Sequence, residues 1–228
     1  MTATRGDLPE AVQALALRCG ARPDGSVSAV VMSQHGFMKD RPADRPMMFS
    51  ADETIQLDRT EFRWVAKCDP INLLVVRDQL IGSEGKLSLL AFGALPISTV
   101  SSGAKTTKGD IIRYLAELPW APDAILRNHE LTWQALDQRT FLVSAGGRNV
   151  RGEVVLRLGD DGLVSNVEAE DRPRKENGHF VERPWRGRFT AYEQRQGRLV
   201  PSRGEVGWML DGAFFEAWFG ELKEWRLQ

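Results

Sequence analysis

Arg113 and Glu117 are the two residues whose types and spacing are best suited to chemistry in this sequence. On a helix, residues four positions apart lie within about 40° of each other. The pair would then lie roughly opposite an apolar stripe formed by Ile111, Leu115 and Leu118. A guanidinium beside a carboxylate on one helix face predicts either a surface ion pair or a binding and catalytic pair.

Both interpretations remain open from the residues alone. On a solvated face the pair is an ordinary i,i+4 ion pair that stabilises the helix by a few tenths of a kcal/mol. If a curled sheet encloses the helix, the pair instead lines a pocket. Arg113 would then anchor an anion, and Glu117 would act as a carboxylate base.

Asp78 and Tyr114 are further candidates for an acid/base site. Asp78 ends the apolar segment INLLVVRD, where a carboxylate is either solvated at the strand end or held in a cavity with a raised pKa. Tyr114 adds a hydroxyl beside Arg113. Together with Glu117 these groups could supply the acid, the base and the oxyanion partner of a reaction that needs no cofactor.

The tryptophans predict either core packing or an aromatic-lined cavity. Five of them are expected on inward faces, and four are candidate ligand-binding residues: Trp64, Trp120, Trp133 and Trp208. Arg172 joins this group as a residue that could gate a cavity mouth. It lies in the charged stretch 171–184, which is predicted to be a loop, so a solvated position is the alternative.

Several classes of site are missing from the sequence. There is no GxGxxG motif, no phosphate loop and no GxSxG motif. The three histidines, at positions 35, 129 and 179, are far apart, and the two cysteines, at 19 and 68, form no CxxC pair. The sequence therefore predicts no metal, no nucleotide and no other cofactor.

Charge and hydropathy restrict the partners and the location. The formal net charge is −1, from 30 basic and 31 acidic residues, and no basic block stands out. We therefore expect neither nucleic acid nor a membrane as a partner. The first twenty residues are too polar for a secretory signal, which favours the cytoplasm. The oligomeric state cannot be inferred.

Hydrophobic periodicity predicts a mainly β (α+β) fold. In EFRWVAKC, Phe62, Trp64, Ala66 and Cys68 alternate with charged residues, as in a half-buried antiparallel strand. A short helix is expected at 8–19 and a helical block at 107–126, with Thr107 as its cap. We expect a single domain, 1–228, built as one large curved antiparallel sheet, an incomplete barrel, wrapped around one or two helices.

A set of short motifs resembles a bacterial family of proteins catalogued as a domain of unknown function. The motifs are RYLAELPWAP from Arg113 to Pro122, LPEAVQALALRCG from Leu8, FRW at 62–64, VRD at 76–78 and GEVGW at 204–208. The resemblance covers roughly residues 8–228. It implies a fold similar to the lipoprotein carriers LolA and LolB, an incomplete barrel curled round helices with a concave apolar cavity. The same fold type includes a cofactor-independent enzyme of violacein biosynthesis, so it does not decide function.

The resulting functional prediction is a cytosolic protein that binds a small apolar or aromatic organic molecule in a half-barrel cavity. One version adds a cofactor-independent lyase, isomerase, dehydratase or cyclase reaction at Glu117, Arg113, Asp78 and Tyr114. The alternatives are a carrier that performs no chemistry, and a protein-interaction module that uses a sheet edge or the stretch 171–184.

Overall fold

The computed structural model describes residues 8–68, 73–100, 103–147 and 149–228. Within these ranges the helices are α1 (Glu10–Arg18), α2 (Ala104–Ala116) and α3 (Pro122–Arg127), with a 3₁₀ turn at Leu118–Trp120. Thirteen strands are described: β1 (Ala29–Met38), β2 (Met47–Gln56), β3 (Phe62–Cys68), β4 (Leu74–Ile81), β5 (Glu84–Ala91), β6 (Leu95–Val100), β7 (Thr132–Ala135), β8 (Thr140–Gly146), β9 (Arg151–Leu158), β10 (Val164–Glu176), β11 (His179–Arg195), β12 (Arg198–Leu210) and β13 (Ala213–Leu227). None of the described helices has the length and apolar character needed to cross a membrane.

All thirteen strands form one antiparallel sheet, in the order β6-β5-β4-β3-β2-β1-β13-β12-β11-β10-β9-β8-β7. Strands β1–β6 form one wing and β7–β13 the other, each running from neighbour to neighbour. The wings join where β1 pairs with β13. The segment carrying α2 and α3 therefore crosses from one edge of the sheet to the other. The predicted mainly β, curled antiparallel architecture is confirmed.

Side-chain alternation explains why these segments are strands with one buried face. In β3 the residues Phe62, Trp64, Ala66 and Cys68 are buried, whereas Arg63 and Lys67 are exposed. This is the alternation that the sequence predicted, and it directs the aromatic side chains towards the inside of the curl.

Helix α2 fills the space inside the curl. It contacts β4 and β5 on one wing and β8, β9 and β10 on the other. Two glycines allow this close approach: a Cβ at Gly85 would lie 2.8 Å from the Cα of Thr107, and one at Gly152 would lie 2.8 Å from a side-chain carbon of Ile111. The helix is therefore packed between both wings, and most of its residues are buried.

A row of glycines crosses three neighbouring strands near Trp120. Gly36, Gly220 and Gly204 are in register across β1, β13 and β12. A Cβ at Gly204 would lie 2.8 Å from the ring of Trp120, and one at Gly36 would collide with the backbone of β13. Glycine within strands is typical of such tight bends and close approaches. The row lets the sheet fold over Trp120, whose indole N–H donates to the carbonyl of Pro201 at 2.8 Å.

The predicted start of the central helix is wrong. Helix α2 begins at Ala104, and Thr107 lies inside it rather than at its cap. The Thr107 hydroxyl accepts a hydrogen bond from the backbone N–H of Gly85 at 3.1 Å. Its polar group therefore joins the helix to β5, and Asp110 is a buried residue of the helix interior.

The loop predicted at 171–184 is also wrong, because this stretch is a β-hairpin. Strands β10 and β11 meet at Asn177 and Gly178, whose φ angles of 49° and 86° fit a type I′ turn. The cross-strand pair of Glu176 and Arg183, with N–O distances of 3.0 and 2.8 Å, stabilises the hairpin. Apolar alternation is lost here because Arg172 and Arg174 lie against aromatic rings.

Candidate functional site

Two acidic side chains on the inner face flank an indole ring. Strand register aligns Glu53 of β2, Trp64 of β3 and Asp78 of β4 in one row across the sheet. Alternation directs all three inward, and all three are buried. The row therefore places one carboxyl group on each side of Trp64.

Arg113 of α2 lies over this row and bonds both carboxylates. Its Nη2 donates to Glu53 at 2.9 Å, its Nη1 to Asp78 at 2.7 Å, and its Nε to Glu117 at 2.8 Å. The guanidinium carbon lies 4.9 Å from the centre of the Trp64 ring. Arg113 and Glu117 are thus enclosed by the sheet. Of the two interpretations of this pair, the enclosed one holds and the solvent-exposed ion pair does not.

Burial and crowding raise the pKa values of two of these carboxyl groups. Burial, and next the Glu117 charge, raise the pKa of Glu53 well above its ordinary value. Burial, and next the Asp78 charge, do the same to the pKa of Asp110. Burial alone would lower the pKa of Arg113, but its three carboxylates raise it well above the ordinary value. The cluster therefore favours the protonated form of the two acids and the charged form of the arginine.

The cluster retains hydrogen-bonding capacity that it does not use. Within the described residues, one buried carboxyl oxygen has no partner in each of Glu53, Asp78, Asp110 and Glu117. A proton on Glu53 lets its carboxyl hydrogen-bond with that of Glu117. Asp78 and Asp110 also line a cavity, although the unpartnered oxygens themselves are inaccessible and that of Asp110 lies towards Gly85 of β5.

A second row, of aromatic residues, lies on the opposite wing. Trp185, Trp208 and Phe215 are in register across β11, β12 and β13. A shift of register between Ala169 and Arg172 in β10 accompanies the placement of the Arg172 guanidinium 4.5 Å from the Trp185 ring centre and 5.6 Å from that of Trp208. The bulge therefore brings a cation over the aromatic row.

One member of each row, Asp78 and Trp208, lines a cavity of about 250 Å³. Asp78 and Asp110 form its inner wall, and Trp208, Leu87 and Phe180 supply apolar surface. Its remaining lining residues are Lys39, Asp40, Lys105, Thr106, Gly109, Arg172, Pro173, Arg174 and Lys175. The cavity is therefore part apolar and part charged, in contrast to the purely apolar concavity that the family resemblance implied.

Only some of the residues selected from the sequence meet there. Asp78, Arg172 and Trp208 line the cavity. Arg113 and Glu117 are bonded to Asp78 or to each other, one layer behind the wall. Arg113 and Glu117 are thus connected to the cavity only through the hydrogen bond between Arg113 and Asp78.

The other selected residues lie elsewhere. Tyr114 is fully buried, where its hydroxyl donates to the Gln56 carbonyl at 3.0 Å and accepts from Asn128 at 2.9 Å; burial raises its pKa. Trp64 and Trp120 are core residues. Trp133 is a partly exposed residue of β7, the edge strand, and does not line the described cavity.

Glu53 and Asp110 are the members of the cluster that the sequence analysis missed. Glu53 is one of the alternate residues of β2 whose side chains are buried, together with Phe49, Ala51 and Ile55. An acidic residue among these apolar positions is the signal that could have identified it. Asp110 shares one helix face with Arg113 and Glu117, at spacings of three and seven, and that spacing could have identified it.

The described residues contain no group of three or more His, Cys, Asp and Glu positioned to hold a metal ion. In the carboxylate cluster the Arg113 guanidinium occupies the position between the acids. The cluster is therefore built around a side-chain cation.

Solved structures define the class of fold. A DUF1329 family protein from Desulfovibrio piger is similar with a TM-score of 0.53 at 11% identity, covering 97% of this chain and 94% of that one. A LolA superfamily protein from Nitrosomonas europaea has a TM-score of 0.51 at 9% identity, covering 95% and 93%. A Vibrio parahaemolyticus domain named for outer membrane lipoprotein sorting has a TM-score of 0.52 at 10% identity, covering 95% and 91%. The chain thus shares its overall fold, a curled antiparallel half-barrel, with these proteins.

The chain belongs to a family of unknown function, DUF6544, whose model matches residues 2–220. This confirms the resemblance to a domain-of-unknown-function family with a lipoprotein-carrier-like fold. No curated protein matches the chain.

Proposed function

We propose that this protein binds a small apolar or aromatic organic molecule in the cavity between the two inner rows. The observation that carries the proposal is the composition of the cavity wall. Trp208, Leu87 and Phe180 offer apolar surface beside the polar groups Asp78 and Asp110. Ligand sites typically combine apolar walls with a few converging polar groups. The volume of about 250 Å³ favours a small molecule.

Two further facts support binding over a purely structural role. Leu87 and Phe180 are each more than a third exposed, although they face a concave region of the molecule. Exposed apolar side chains at a cavity rim gain free energy when a ligand covers them. One structural neighbour is named for lipoprotein sorting, which favours a carrier within this proposal. The cytoplasmic location stays a prediction from the sequence.

The test is isothermal titration calorimetry with 1-naphthamide, a neutral aromatic probe. Trp208→Ala should weaken its binding roughly five- to tenfold, because it removes the largest apolar group of the wall. Phe214→Ala is the matched control, since Phe214 is an exposed aromatic residue of β13 outside the cavity. Equal losses in both variants would contradict the proposal, as would failure of the native protein to bind both this probe and its carboxylate analogue, 1-naphthoate.

Acid/base catalysis in the same cavity is a second candidate, favoured by Asp110. This carboxyl lines the cavity, has an unpartnered oxygen, and has a raised pKa caused first by burial. A neutral acid facing a bound molecule can donate a proton, and a positioned acid typically contributes 10²–10⁴-fold to a rate. Asp110→Asn preserves the shape and removes the proton.

For a substrate retained by protein from its native host, detected by native mass spectrometry, Asp110→Asn should therefore reduce turnover roughly 10²-fold or more while leaving binding nearly unchanged. Equal turnover by the native protein and the variant would exclude Asp110 as the acid and leave a carrier.

A further inference from the structure

Arg172 is a cation of the cavity wall whose side-chain N–H groups are uncommitted within the described residues. Its guanidinium lies over the rings of Trp185 and Trp208, and the residue lines the cavity. In the described part of the chain its side chain makes no hydrogen bond and no ion pair. Its two neighbours differ: Arg113 bonds three carboxylates, and Arg174 donates to the carbonyl of Asp40 at 2.7 Å. A guanidinium has five N–H donors, so Arg172 offers a fork of unused N–H donors to a ligand that enters the cavity.

The Trp185 and Trp208 rings lie beside the Arg172 guanidinium, with their centres 4.5 and 5.6 Å from its central carbon. A planar guanidinium presents paired N–H groups along its edge, so these groups are available to a ligand. Arg174 continues the pattern at 5.3 Å from the Trp208 ring, and Lys39 lies 5.5 Å from the Phe215 ring. Three cations thus follow the aromatic row along one side of the cavity.

Asp78 and Asp110 on the inner wall would repel an entering anion less strongly than two free carboxylates would. Asp78 is already bonded to Arg113 at 2.7 Å. The pKa of Asp110 is raised well above its ordinary value, first by burial and next by the Asp78 charge, which favours its uncharged form. Burial, and next the Arg113 charge, lower the pKa of Arg172 to about 10. A nearby anion would offset both the burial and the Arg113 repulsion that lower the pKa of Arg172.

We propose that Arg172 anchors an oxyanion group, a carboxylate, sulfonate or phosphate, carried by the bound molecule. The ligands of this cavity are then small organic acids with an apolar or aromatic body. The proposal rests on the proposed function, because it assumes that the cavity is a ligand site. The acid end lies at Arg172 and the apolar body lies towards Leu87 and Phe180.

The experiment compares 1-naphthoate with 1-naphthamide, two probes of nearly the same shape that differ in charge. Calorimetry at low salt and pH 7 should show that the native protein binds the naphthoate about tenfold or more tightly, as expected for charge-assisted hydrogen bonds. In Arg172→Gln this preference should disappear, while naphthamide affinity changes by less than about twofold. Arg172→Lys, which keeps the charge but loses the fork, should retain part of the preference.

Arg203→Gln is the matched control. It removes the same charge from an exposed arginine of β12 that pairs with Glu221 outside the cavity, and it should leave the preference unchanged. Equal binding of the two probes by the native protein, or loss of preference in both glutamine variants, would overturn the role of Arg172 and leave the proposed function intact. Binding of neither probe would overturn the proposed function itself. If Arg172→Gln does not fold, the role of Arg172 is tested by the preference for naphthoate over naphthamide in the native protein and in Arg172→Lys.

Discussion

Glu53 has a carboxyl group whose pKa the fold raises. Its side chain is almost completely inaccessible, and it accepts a hydrogen bond from Arg113 while lying beside Glu117. One guanidinium cannot neutralise three adjacent carboxylates, and burial disfavours the ionised form further. The fold therefore favours a protonated acid at Glu53 over a simple salt bridge.

The raised pKa of Glu53 makes the free energy of unfolding depend on pH, with a definite sign. Below the ordinary glutamate pKa of about 4.3, both folded and unfolded chains carry the proton. Above it the unfolded chain releases the proton and the folded chain keeps it, because the pKa of Glu53 is raised in the fold. The contribution to stability therefore falls as pH rises towards the folded-state pKa.

Glu53→Gln should remove that dependence, because glutamine mimics the protonated acid and can still accept from Arg113. We expect the variant to gain stability relative to the native protein as pH rises from about 5 to 8. Urea unfolding at several pH values measures this difference. Glu153→Gln, on the exposed face of β9, is the control and should give parallel curves. Parallel curves for Glu53→Gln as well would mean that Glu53 is ionised in the fold.

At the scale of elements, the contact between α2 and β5 sets the position of the whole cluster. Gly85 permits that contact: a Cβ there would lie 2.2 Å from a carboxyl oxygen of Asp110 and 2.8 Å from the Cα of Thr107. Both Asp110 and Arg113 project from α2, so a displaced helix would move the inner wall of the cavity.

Gly85→Ala should therefore destabilise the protein by roughly 1–3 kcal/mol, the usual effect of overpacking. Gly109→Ala provides a matched control in the same contact region. A Cβ there has its nearest neighbour, the Pro173 carbonyl oxygen, at 4.0 Å, so the helix preference of alanine should stabilise by up to about 1 kcal/mol. Thermal unfolding distinguishes the two. Equal effects would show that α2 and β5 can separate without cost.

Local patterns predicted the elements wherever one face is apolar, and failed where charged residues face inward. The β3 alternation and the helix around Arg113 were predictable because burial of one face imposes a period on the sequence. The β10–β11 hairpin was not, because Arg172 and Arg174 cover aromatic rings with guanidinium groups and so interrupt that period.

The candidate site shows the same limit. The spacing of Arg113 and Glu117 could be recognised because both lie on one helix. Their contact with Glu53 and Asp78 depends on the register of β2, β3 and β4 and on the depth of the helix within the curl. Those are long-range features that no short segment specifies.

At the scale of the whole molecule, one pairing holds the two wings together. Strand β1 pairs with β13, so the central seam of the sheet joins residues near opposite ends of the described chain. On the other side, α2 packs against β4 and β5 of one wing and β8, β9 and β10 of the other. The cavity depends on both connections, since Asp78 comes from the first wing and Arg172 from the second.

The seam also sets an order of events during protein synthesis. The first wing emerges from the ribosome while its strand β1 still lacks the partner that will later cover it, and an unpaired strand edge is a site of aggregation. About 175 residues separate the end of β1 from the start of β13, and at 5–20 residues per second their translation takes roughly 10–35 s. The native sheet can close only after β13 has emerged. The protein therefore completes its fold after most of its chain has been translated, and chaperones that cover strand edges have their opportunity in that interval.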